Sequence, residues 1–206
     1  LLLAITPQRM FYDPLLATLW RASGLAPLVI RGRRLLPLVQ GGMGVGISAH
    51  RLAGSVAAQG AVGTLSAIDL RRHHPDLMAR SAEHGVGQGA KAAIDAADLE
   101  ALQREIAAAK QLAQGRGLLA VNVMRAVDQY APLVRASLEA GIDAVVVGAG
   151  LPLDLPELAR EHPQAALVPI LSDASGIALV VKKWERKQRV PDAIVIEHPR
   201  WAGGHL

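Results

Sequence analysis

The chain has 206 residues, 51% of them hydrophobic and 19% charged, which excludes a disordered polypeptide and leaves room for one large domain with a substantial core. Its formal charge is +4 with no dense Lys/Arg block, and the basic runs 31–34 and 182–189 read as solvated faces, so nucleic acid is not an expected partner. Cysteine is absent, which excludes disulfides, thiolate metal centres and a cysteine nucleophile and is compatible with a cytoplasmic setting; no run reaches the roughly 20 apolar residues that span a bilayer.

Residues 1–26 read as an N-terminal extension, whose apolar start is too short for a signal sequence. The chain begins at Leu rather than Met and stops at Gly-Gly-His-Leu soon after a strand, so it reads as a piece of a longer protein. Leu28–Ile30, Arg31-Gly32-Arg33 and Leu35 predict a two-stranded ribbon of the kind that plugs the bottom of a barrel. Strands are then predicted over 36–40, 61–68, 118–124, 144–148, 166–172 and 193–197. Helices are predicted over 48–59, 99–114, 130–140 and 174–188, several of them closed by Gly60, Gly115 or Gly141. The stretch 69–98, polar and Gly-rich around 85–89, predicts an elaborated loop reaching over an active site. Val145–Val147 and the Ile-Val-Ile run ending at Ile196 are continuous apolar runs, as buried parallel strands require. The fold class is therefore α/β with a parallel sheet. Six βα units fall short of the eight of a TIM barrel, whereas a doubly wound sheet needs no more; both stay open at this point.

The first predicted strand runs into a glycine-rich turn that takes three readings. Gly44-x-Gly46-x-x-Ala49 fits a relaxed dinucleotide fingerprint, with Asp69 at the ribose-binding position of an NAD-dependent dehydrogenase. The second reading is that the glycines simply allow tight chain reversal. The third reading takes in more of the chain: polar or glycine residues recur at the strands' C-terminal ends, at Gln40, Asn122, Gly148, Gly150, Ser172, Asp173, Glu197 and His198, as at the mouth of a barrel. His73 and His74, beside Arg71 and Arg72, lack metal-ligand spacing and read as surface residues, and no metal site is expected.

Pro37-Leu38-Val39-Gln40-Gly41-Gly42-Met43-Gly44, then Asn122-Val123-Met124, Ser172-Asp173 and Glu197-His198-Pro199-Arg200-Trp201-Ala202-Gly203-Gly204-His205, in that order, resemble the nitronate monooxygenase family, formerly called 2-nitropropane dioxygenases. The resemblance runs from about Pro27 to the last residue. It implies a TIM (β/α)8 barrel with FMN at its C-terminal mouth, here an incomplete barrel over 27–206 lacking its last two βα units. It implies that Gln40, Gly41, Gly42 and Met43 line the flavin, that Asn122 and Ser172 meet its edge, and that Gly203 and Gly204 pass over its reactive face. His205 would be the catalytic residue, a general base beside the flavin or a holder of an anionic nitronate. Asp69 would then be a loop residue.

The implied reaction is oxidation of an alkyl nitronate by FMN and O2 to a carbonyl compound and nitrite, with a small-molecule substrate, no nucleic acid or membrane partner, and room for a homodimer. The alternatives are an FMN-dependent NAD(P)H:quinone or enoyl-ACP reductase of the same barrel family, a Rossmann NAD-dependent dehydrogenase, and a non-catalytic fragment. The family's FMN phosphate is held by loops after the seventh and eighth strands. This chain is therefore expected to form an open six-stranded barrel with an unpaired edge and to hold FMN weakly.

Overall fold

The computed structural model describes residues 13–83, 85, 87–198 and 200. Helix α1 (Pro14–Ser23) lies within the expected extension; Asp13 caps it by accepting from the Leu15 amide at 2.7 Å, and Pro14 at its first turn lacks an N–H that would otherwise need a partner. The ribbon forms as the sequence predicts: β1 (Leu28–Ile30) pairs antiparallel with β2 (Arg33–Leu35), Ile30 opposite Arg33.

Six strands then form one parallel sheet: β3 (Val39–Gln40), β4 (Val62–Ser66), β5 (Leu118–Met124), β6 (Ala144–Gly148), β7 (Ala166–Leu171) and β8 (Val195–Ile196). Each pairs with the next in chain order, which leaves β3 and β8 at the two edges among the described residues. Unbroken sequential order is that of a barrel, and the curled sheet is half of one. A doubly wound dinucleotide fold reverses its strand order at a switch point. The Rossmann alternative is therefore excluded by the topology.

The helices α2 (His50–Ala58), α3 (Pro75–Ala82), α4 (Gln88–Ala113), α5 (Tyr130–Glu139), α6 (Leu155–Leu158) and α7 (Ala174–Glu185) cover the sheet's outer face. The expected long loop over 69–98 is corrected here. It holds a 3-10 turn (Leu70–His73), α3 and the start of α4, and it buries Leu70, Leu77 and Ala97 in the main core. Pro75 starts α3 at a position that tolerates proline, and the alanine-rich run after Gly87 starts α4. Among the described residues no helix is long and apolar enough to cross a membrane.

Strand alternation decides which side chains go where. On β5, Leu119, Val121 and Val123 pack outward under the helices, joined by Leu65, Val145, Val147 and Leu167 of the neighbouring strands. Their alternates Leu118 and Ala120 point inward with Val62, Ala144 and Ala166, and Ile30 and Leu35 of the ribbon pack on them. The ribbon thus seals the lower half of the inner face.

Its arginines hold it there. Arg33 Nη1 lies 2.7 Å from Asp143 Oδ1, while Asp143 Oδ2 accepts from the Leu119 amide at 2.9 Å. Arg31 repeats the arrangement two strands on: its Nη1 is 2.7 Å from Asp192 Oδ1, and Asp192 Oδ2 accepts from the Leu167 amide at 2.8 Å. Two arginines of the basic run 31–34, exposed Arg31 and half-buried Arg33, therefore clamp the ribbon to the sheet from a face that stays solvated.

Helix α2 lies directly on β4 because Gly63 has no side chain; a Cβ there would overlap the Ala53 carbonyl. Gly63→Ala is expected to cost about 3 kcal/mol through forced displacement of α2. Urea unfolding measures it, and an unchanged midpoint would contradict the packing described.

Candidate active site at the C-terminal ends of the strands

Above the plug, the same inner face is open. A cavity of about 650 Å³ lies between the turn after β3 and the C-terminal ends of β4 to β8; Gly42, Met43, Ser66, Asn122, Met124 and Ile170 are among the residues that line it. Ser66 and Asn122 are register partners on adjacent strands. They continue the inward rows that begin with Val62 and Leu118, so one alternation supplies apolar plug contacts below and polar groups above. Among the described residues, neither the Asn122 carboxamide nor the Ser66 hydroxyl has a hydrogen-bond partner.

The turn is shaped by one buried hydroxyl. Ser48 Oγ accepts from the Met43 amide at 2.9 Å, donates to the Gly41 carbonyl at 3.2 Å and receives Gln40 Nε2 at 2.9 Å. Gln40 also receives the Thr64 amide at Oε1 (3.0 Å) and donates to the Thr64 carbonyl (3.1 Å). Its carboxamide is committed to the sheet and the turn, off the cavity wall. Gly42 is required because Asn122 crowds it: a Cβ would stand 2.5 Å from the Asn122 Cβ, whereas one on Gly41 would meet open space.

Of the residues singled out in the sequence, the structure therefore brings Gly42, Met43, Gly44, Asn122, Gly148 and Glu197 together at the cavity. Ser172 is off its wall, its hydroxyl 3.3 Å from Asp173 Oδ2. Asp173 caps α7 by accepting from the Gly176 amide at 2.8 Å, and that bond holds its carboxyl below the usual value. Gly203, Gly204 and His205 lie outside the described residues. Ser66 and Ile170 escaped the sequence reading and Met124 entered it only within the Asn122-Val123-Met124 motif, although stepping by two from Val62, Leu118 and Ala166 reaches all three.

Behind the turn, α2 starts at Ala49, which has no side chain to cap it. Buried Glu105 of α4 does so instead: its Oε2 accepts from the His50 amide at 2.7 Å and lies 2.7 Å from His50 Nδ1, while its Oε1 is 3.1 Å from His74 Nε2. His74 thus faces inward, against the expectation of a surface residue, while His73 is exposed. A carboxylate holds the helix N-terminus where a dinucleotide fold would place a pyrophosphate. Asp69, the would-be ribose ligand, is taken up by Arg71 (2.9 Å) and Arg72. The dinucleotide reading fails on both residues that carried it.

A ribbon-plugged, sequentially ordered parallel sheet with its cavity at the C-terminal strand ends defines the chain as half of a TIM-type barrel with the site at its mouth. The nitronate monooxygenase family model matches residues 33–206. The chain belongs to that family, one of flavin-dependent oxidoreductases. Among solved structures, FabK from Thermotoga maritima is similar at a TM-score of 0.51 with 18% identity, over 78% of this chain and 40% of that one. A nitroalkane oxidase from Streptomyces ansochromogenes aligns at a TM-score of 0.33 with 18% identity, over 78% of this chain and 65% of that one. The chain spans about two fifths of the FabK length, and the likeness to FabK bears on the fold alone. Curated proteins give no match.

The cap supplied by Glu105 has a measurable weight. Glu105→Ala removes the acceptor of the His50 amide and is expected to cost about 2 kcal/mol, with Glu105→Gln costing roughly half as much because its carbonyl still caps. An alanine variant that unfolds at the wild-type denaturant midpoint would show that α2 does not depend on it.

Proposed function

We propose that the protein binds FMN in this cavity and oxidises alkyl nitronates with O2 to carbonyl compounds and nitrite. The observation that carries the reading is the register pair Ser66 and Asn122, two polar side chains without hydrogen-bond partners among the described residues, facing a cavity of mixed polar and apolar lining at the mouth of the half-barrel. That combination suits a flat ring system with a hydrogen-bonding edge. Bound FMN supplies electron transfer between the substrate carbon and oxygen.

The chain's own residues do the rest. Asn122 and Ser66 hydrogen-bond the edge of the ring, and Gly42 and Met43 lie along the turn that meets its face. Gln40, through Ser48 and Thr64, fixes the shape of that turn, and Gly41 follows it. Ser172, just past β7, is assigned to the flavin edge from the family's motif alone. Gly203 and Gly204, from the family's motif, let the chain pass close to the reactive face. His205 accepts the proton of a carbon acid, or holds the nitronate by its charge. Ile68, Met124 and Ile170 shield from water the part of the ring that lies against them. Residues 27–206 act as one barrel unit behind the extension of residues 1–26.

Oxygen uptake and nitrite release, measured with the nitronate of 2-nitropropane and FMN in excess, test the proposal. Turnover without a nicotinamide is expected. Turnover only with NADH and a quinone or enoyl thioester would replace the reading with a reductase. Asn122→Ala is expected to raise the FMN dissociation constant about tenfold, or 1.4 kcal/mol, as read by flavin fluorescence quenching. His205→Ala is expected to lower kcat/KM about 100-fold with flavin binding retained. Unchanged turnover would remove His205 from the chemistry.

A further inference from the structure

Glu197 stands alone in character on the cavity wall. It follows β8 directly, its amide donating to the Leu171 carbonyl at 2.9 Å, so the sheet itself fixes its place at the mouth. Among the described residues lining the cavity it is the one ionisable group, and no described cation pairs with it. Six apolar side chains, Val45, Ile68, Met124, Val127, Leu133 and Ile170, line the same space, beside the uncharged polar Ser66 and Asn122.

We infer that Glu197 is a specificity-determining residue that, in a lining otherwise free of charge among the described residues, selects nitronates carrying an uncharged alkyl chain and rejects those carrying a second anionic group. The inference rests on the proposed nitronate reaction and names its substrate class. The physical basis is simple. A cavity of 650 Å³ is about 11 Å across if taken as round. A second negative charge anywhere inside it feels the Glu197 carboxylate at that range or less, which at an effective dielectric near 20 weakens binding about tenfold. An alkyl chain lying against Val45, Ile68, Met124, Val127, Leu133 or Ile170 gains by leaving water.

The test compares the nitronates of 1-nitrohexane and of 6-nitrohexanoate, equal in chain length and differing in one carboxylate, on the wild-type protein and on Glu197→Gln with FMN in excess. The alkyl nitronate is expected to have a kcat/KM at least tenfold higher, chiefly through KM, and Glu197→Gln is expected to cut that ratio to threefold or less. Equal values, a preference for the carboxylated nitronate, or an unchanged ratio in Glu197→Gln would overturn the inference. Oxidation of neither nitronate would overturn the proposed reaction instead. A second measurement needs no turnover: ligand-observed NMR of hexanamide and hexanoate on the same two proteins. Tighter binding of hexanamide by the wild type, with the gap closing in Glu197→Gln, is expected. Equal binding, or binding of neither, would overturn the role of Glu197.

Discussion

The inner face of a curled parallel sheet cannot stay empty, and in this protein the ribbon fills its lower half. The inward side chains there are mostly small (Ala120, Ala144 and Ala166), so Ile30 and Leu35 fit against them and exclude water from apolar surface. Position comes from charge. Arg31 and Arg33 each hold an aspartate that also accepts the amide of an inner strand, so ribbon and sheet are tied at two places two strands apart. Because the plug stops there, the next inward residues, Ser66 and Asn122, meet open space. The site is the part of the barrel interior that the ribbon leaves unfilled.

The opposite wall of the cavity depends on polar groups buried behind it. Ser48 draws the turn around its hydroxyl, and Gln40 ties the same hydroxyl to β4. Glu105 reaches across from α4 to cap a helix that starts on alanine. A buried carboxylate is costly unless hydrogen-bonded, and Glu105 meets that cost with the amide and the imidazole of His50, while His74 Nε2 stands 3.1 Å away without a hydrogen bond. The glycine-rich turn is thus held from outside the cavity, and its inner surface stays free for a ligand.

Much of the architecture was legible in the chain. Continuous apolar runs and their spacing marked the sheet, although Val195 and Ile196 of the last run lie exposed on the edge strand rather than buried, and the ribbon was marked by Arg31-Gly32 between two short β-rich segments. Helix α1 carried a readable signal, Asp13 before Pro14, that the reading of residues 1–26 as a plain extension passed over. The helices within 69–98 were hidden for a physical reason: the glycines at 85, 87 and 89 interrupt the pattern, and alanine-rich helices have little amphipathic contrast. At the site, Gly42, Met43 and Asn122 were legible because motif and strand end coincide. Gln40 was picked for the right place and the wrong surroundings, since its partner Thr64 lies 24 residues away. The Glu105 cap joins residues 55 apart and leaves no local trace.

The central claim is that the upper inner face of the half-barrel, at Ser66 and Asn122, is where the flavin ring binds. NMR of the isotope-labelled protein during titration with FMN tests it most directly. The account predicts saturable shifts of the Asn122 side-chain amide and of the Gly42 and Ser66 backbone amides. Shifts confined to the start of α2 around His50, or no shifts at saturating FMN, would contradict it.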